Sequence, residues 1–105
     1  MANEYRVEKW PNVHQPNPAM LRHILVGEGY SVYQWSDHPG CVYPLHKHES
    51  DQVHWVISGT LEITIERVGT FVLEPGDRDH LPAGTYHSAR VLGEESVIYL
   101  IGESS

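Results

Sequence analysis

The hexapeptide Leu61-Glu62-Ile63-Thr64-Ile65-Glu66 alternates apolar and polar side chains without a break. Strand side chains point to opposite faces in turn, so this segment carries an aliphatic face and a polar face. A chain that contains it has to build a sheet buried on one side. The surrounding pattern is of the same kind. From Met20 onward, short apolar runs are separated by Gly, Pro and charged turns, as in a sandwich or barrel of short strands. The expected strands are Leu21 to Val26, Tyr30 to Trp35, Val42 to His46, Gln52 to Ile57, Leu61 to Glu66, Thr70 to Leu73, His87 to Val91 and Val97 to Ile101. Ser58-Gly59-Thr60 and Arg67-Val68-Gly69 are expected hairpin turns beside the alternating strand. No segment carries a helical period over eleven or more residues, and Pro44, Pro75 and Pro82 would interrupt a long helix. The fold class is therefore read as all-β.

A length of 105 residues suits one domain. Residues 1–19 are polar and punctuated by Pro11, Pro16 and Pro18, which predicts an extended arm with a short edge strand near Tyr5 to Val7. Residues 20–105 form the barrel domain, with a frayed tail from Gly102. Fourteen acidic against seven basic residues give a net charge of −7, which disfavours nucleic acid and anionic membranes as partners. The single cysteine, Cys41, has no internal partner and is expected to pack as a small apolar residue. No basic start leads into an apolar run, and no stretch approaches 18 apolar residues, so the expected location is cytoplasmic.

Eight histidines are the chemical feature of the chain. In a strand, His46 and His48 share one face, with Cα atoms about 6.6 Å apart, so both imidazoles can converge on one ion. His14, His23 and His38 lie in or beside polar or Pro-rich segments and are expected at the surface, and His80 in a turn. His54 shares a strand face with Gln52.

The spacing extends further. Gly40 is followed by five residues, His46-Lys47-His48, three residues, Gln52, six residues and Gly59. Gly76 is followed by five residues, Pro82-Ala83-Gly84, two residues and His87. This resembles the paired signature of the cupin superfamily, and of its small single-domain, conserved-barrel members in particular. The two blocks cover residues 40–59 and 76–91, about a third of the chain. The resemblance implies a cupin double-stranded β-helix, or jelly-roll barrel, of antiparallel strands. It also implies one divalent transition metal ion held by His46, His48, His87 and the residue at 52, and a homodimer to which the arm contributes. Two positions depart from the family pattern, Gln52 where Glu is usual and Val91 where Asn is usual.

Gln52 offers a neutral carbonyl oxygen in place of a carboxylate. A site of three imidazoles and an amide suits Fe, Zn or Ni better than Mn. The alternative for Gln52 is a hydrogen bond to a metal-bound water. His54 has three possible roles: a further ligand, an acid–base group beside the ion, or a lining residue; the catalytic role is the one expected. The function expected is a small metalloenzyme acting on a small organic molecule. Its chemistry would be either that of a dioxygenase, hence an oxidoreductase, or redox-neutral as in a cyclase, isomerase or lyase. The alternative is a non-catalytic sensor or binding barrel, or a metal that only stabilises the fold.

Overall fold

A computed structural model describes residues 4–11 and 14–104. Its elements in chain order are β1 (Arg6–Glu8), α1 (Pro18–Gly27), β2 (Ser31–Asp37), β3 (Val42–His46), β4 (Gln52–Ser58), β5 (Thr60–Ile65), β6 (Gly69–Leu73), β7 (Arg78–His80), β8 (His87–Leu92) and β9 (Val97–Glu103). A five-stranded sheet in the order β1-β7-β4-β9-β2 faces a four-stranded sheet in the order β3-β8-β5-β6. All pairings are antiparallel. This is the expected jelly roll, with one short helix added.

The helix corrects one expectation, since Leu21 to Val26 is not a strand. Asn17 caps the helix by accepting from the Met20 amide, and Pro18 stands in its first turn. Leu21 and Leu25, one helical repeat apart, are fully buried against Val53, Trp55 and Leu100 on the outer face of the five-stranded sheet. Met20, Ile24 and Val26 stay exposed. Apolar residues on both sides of the helix hid its period. The helix also spans the expected arm–barrel junction at residues 19 and 20.

A second core fills the space between the sheets. Leu61, Ile63 and Ile65 of the alternating strand meet Val56, Val91, Val97 and Tyr99 there. Every residue from Gln52 to Val56 is buried, because β4 has a core on each face. Arg67 lies in the hairpin between β5 and β6, as expected, with φ of 67°. Gly59 does not lie in a hairpin: it joins strands of different sheets. Its φ is +79°, and an added Cβ would stand 2.4 Å from the Ser96 carbonyl oxygen. The chain needs glycine at that corner.

The arm carries the expected edge strand, with Arg6 to Glu8 paired to β7 of the same chain. His80 is in that pair and not in a turn; it bonds the Glu8 carboxylate. The tail is more ordered than expected, since β9 runs to Glu103 and the Ser104 amide bonds the Asp51 carbonyl. Val91 packs in the inner core and Cys41 packs against it. His14, His23 and His38 are exposed.

Candidate metal centre

His46 ends β3 and pairs with His87 at the start of β8; His48 follows in the loop. One nitrogen from each of His46, His48 and His87 lies within 4.8 Å of the others. His46 Nε2 and His48 Nε2 are 3.2 Å apart. The His46 Nδ1 donates to the Pro44 carbonyl at 2.7 Å, and the His87 Nδ1 donates to the Thr85 carbonyl at 2.9 Å. A carbonyl only accepts, so these bonds put the proton on Nδ1 and leave Nε2 as a lone pair. Burial lowers the His48 pKa and pushes that of His87 down to about 4. Both imidazoles are thus held neutral at physiological pH, the form that ligates metals. The donor set fits a divalent transition ion of the Fe, Ni or Zn type.

Gln52 is buried and lines the same cavity. Its amide Nε2 donates to Glu103 Oε2 at 3.1 Å. A carboxylate can only accept, so the amide is oriented and Oε1 is the atom left for the cavity. Glu103 was not anticipated. It brings a carboxylate next to the departure from the family pattern, one residue removed.

His54 lines the cavity as its strand face predicts. Its Nδ1 lies 3.0 Å from Asp79 Oδ1, and its backbone amide donates to the same oxygen at 2.7 Å. Asp79 is fully buried. Burial works against the imidazolium, but the Asp79 charge and hydrogen bond prevail and raise the His54 pKa. The Tyr5 hydroxyl donates to the other Asp79 oxygen at 2.9 Å. Neither Asp79 nor Tyr5 was found from sequence. Asp79 lies on a three-residue strand that is too short to show a period, and Tyr5 is 74 positions away.

The cavity measures about 190 Å³. Leu61, Ile63, Ala89 and Ile101 supply apolar walls, and Trp35, Tyr43 and Tyr99 supply aromatic ones. Trp35, 49% exposed, lines the site from an edge strand. No Lys or Arg lines it. Behind the aromatic wall, Asp37 accepts from Tyr43 at 2.6 Å, from Tyr99 at 3.1 Å and from Trp35 at 3.1 Å.

Comparison with known proteins agrees with this architecture. The family model for the cupin domain matches residues 33–102. Dimethylsulfoniopropionate lyase DddQ of Ruegeria pomeroyi is 30% identical over 78 residues, covering 65% of this chain and 37% of that relative. The chain thus spans little more than a third of the length of that relative. The crystal structure of DddQ from Ruegeria pomeroyi superposes with a TM-score of 0.66 at 23% identity, over 73% of this chain and 39% of that one. KdgF from Halomonas sp. superposes with a TM-score of 0.61 at 28% identity, over 70% of this chain and 68% of that one. Two antiparallel sheets, the His46/His48/His87 cluster inside them and the matched residues together place the chain in the cupin domain family.

Proposed function

We propose that this chain is a metal-dependent enzyme of redox-neutral type, a lyase or isomerase, that moves a proton on a small molecule held in the barrel. His46, His48 and His87 would hold the ion, with Gln52 Oε1 as the fourth ligand. A divalent ion there supplies Lewis acidity toward a substrate carbonyl or carboxylate oxygen. The observation that carries the reading is the carboxylate-backed His54 on the wall of the cavity that the three histidines share.

The chain's own residues then divide the work. Asp79 holds His54 Nδ1, which leaves Nε2 to give a proton to the substrate and to take one back. Leu61, Ile63, Ala89 and Ile101 exclude water from the reacting group. A cavity of about 190 Å³ suits a small organic substrate. Similarity to a dimethylsulfoniopropionate lyase supports elimination from a small acid as the first reaction to assay. Association as a homodimer belongs to the same reading, and sedimentation velocity at micromolar concentration tests it.

The experiment is elemental analysis of protein purified without added metal, beside His46→Ala/His48→Ala. It is followed by solvent-deuterium exchange into small carboxylic acids, with dimethylsulfoniopropionate first. About one equivalent of metal in the unaltered chain, and exchange lost in His54→Ala with its metal retained, supports the proposal. Oxygen uptake without exchange would replace it with oxygenase chemistry, and failure to load any metal would leave a metal-free binding barrel.

A further inference from the structure

Asp37, at the end of β2, is 8% exposed, and it forms no ion pair with Lys, Arg or His among the described residues. It does not line the cavity, but all three side chains that donate to it do. Trp35 Nε1 is shared between Asp37 Oδ1 and the Tyr43 oxygen, each at 3.1 Å. Three neutral donors satisfy the carboxylate's lone pairs without cancelling its charge. Burial and the bond to Asp37 push the Tyr43 phenol up to about 12, so its hydrogen stays on and points to the carboxylate. The three polar hydrogens of this wall are spent on Asp37. What remains for the cavity is ring surface and phenol oxygen lone pairs, electron-rich and backed by a negative charge.

The strand register sets this wall apart from the histidines. Tyr99 pairs with both Trp35 and Val56, and Val56 lies four residues along β4 from Gln52. In the other sheet, Tyr43 pairs with Ala89, two residues on from His87. At about 3.3 Å per residue, the aromatic wall begins one to two strand repeats, roughly 7 to 13 Å, from the His46–His87 pair. One end of the cavity thus carries a cluster built for a cation; the His54 ring stands between that cluster and the aromatic wall, 5.9 Å from the Tyr99 ring. The other end carries a carboxylate behind aromatic rings. With a divalent ion held by the histidines, the two ends would differ in sign.

We propose that Trp35, Tyr43 and Tyr99, backed by Asp37, form a subsite for an alkylated onium group, a quaternary ammonium or a sulfonium. The ligand of the cavity is then a small zwitterion whose oxygen head group lies at the histidines. Alkylated onium groups fit better than primary ammonium for a stated reason. The Asp37 oxygens already accept three hydrogen bonds and stand behind the rings, so an N–H donor would find no free carboxylate. A cation without N–H bonds needs only the ring quadrupole and the field behind it. The head-group half of this inference rests on the proposed metal site; the onium half does not.

The test uses two shape-matched probes that differ in one charge, 3-(trimethylammonio)propanoate and 4,4-dimethylpentanoate. Each is titrated calorimetrically into the zinc-loaded protein. The zwitterion is expected to bind at least tenfold tighter, and Asp37→Asn to bring the ratio below threefold. Trp35→Leu, on a half-exposed edge-strand position, is expected to lower the ratio as well, and it serves if the Asp37 variant does not fold. Equal binding of the two probes, preference for the carbon isostere, or a ratio untouched by both variants overturns the subsite. Tetramethylammonium chloride, titrated against the metal-free protein with potassium chloride as control, separates the two halves. If it binds there while neither carboxylate probe binds the zinc-loaded protein, the metal reading fails and the onium subsite stands. If it does not bind, the subsite fails.

Discussion

Tyr5 and His54, 49 positions apart in the sequence, bind the two oxygens of one buried carboxylate. Asp79 accepts from the phenol at 2.9 Å and from the imidazole at 3.0 Å. The N-terminal arm thereby supports a residue of the cavity. Removing the phenol hydroxyl in Tyr5→Phe keeps the ring against Phe71 and is expected to cost about 1.5 to 3 kcal/mol, the range for a hydrogen bond to a charged group. Asp79→Ala strands the Tyr5 hydroxyl, the His54 ring and the His54 amide together, and is expected to cost 3 kcal/mol or more, roughly. Urea denaturation at constant m-value distinguishes them, and equal midpoints for the two variants would contradict the shared carboxylate.

The Glu103 carboxylate accepts from the Gln52 amide at 3.1 Å. Glu103→Gln frees the Gln52 amide to rotate, and zinc affinity is expected to fall by about 10- to 100-fold in a chelator competition. Gln52→Glu sets two carboxylates together at that position. The metal-free variant is expected to melt lower than the unaltered chain and to bind manganese more tightly. A metal-free melting temperature that stays the same would mean that Gln52 and Glu103 are not in contact.

Metal loading is expected to stabilise the barrel. At a free ion concentration 100 times Kd, linkage gives about 2.7 kcal/mol. Thermal melts with and without chelator measure it. The His87→Ala chain is expected to show no chelator effect, because one of three clustered nitrogens is gone.

At the Gly59 corner, Gly59→Ala places a methyl group 2.4 Å from the Ser96 carbonyl oxygen and 2.7 Å from the Val97 Cα, at a φ of +79°. Both partners are backbone and cannot step aside. A loss of about 2 kcal/mol or more is expected by urea denaturation. By comparison, Gly93→Ala shares the positive φ but meets nothing within 4 Å, so it is expected to cost less.

Acid is expected to loosen the arm. The hydrogen bond from His80 holds the Glu8 carboxyl below its ordinary 4.5, and the charges of His80, Arg78 and Arg6 act in the same direction. A depressed folded-state value adds stability above the unfolded-state pKa and loses it as pH falls through the folded-state value. Amide protection of residues 6–8 is expected to decline below pH about 4.5 in the unaltered chain, and to be lower and less pH-dependent in Glu8→Gln. Identical profiles would remove Glu8 from the account.

The barrel was legible because strands announce themselves by a period of two, as Leu61 to Ile65 do, and because the histidine spacings coincide with glycines at the turns. The shared face of Gln52 and His54 followed from the same period. Three features escaped for physical reasons. The helix escaped because Met20, Ile24 and Val26 are apolar on its outer side. Strand β7 escaped because three residues, Arg78-Asp79-His80, all polar, look like a turn until β1 and β4 are seen to flank them. Asp37 and Glu103 escaped because a carboxylate's partner across a sheet leaves no mark in local sequence.

Strand β4 serves two clients at once. Its odd-numbered Val53 and Trp55 support the helix, while its even-numbered Gln52, His54 and Val56 face the inside of the barrel. Neither set can drift without disturbing packing or chemistry. Strands β2 and β3 are each the outermost of their sheet, and Tyr33, Trp35, Val42 and Leu45 on them are half-exposed or more. Outward positions such as Tyr33, Val42 and Leu45 can therefore change at little cost in packing, whereas Asp37, Tyr43 and His46 on the same two strands cannot change without altering the cavity.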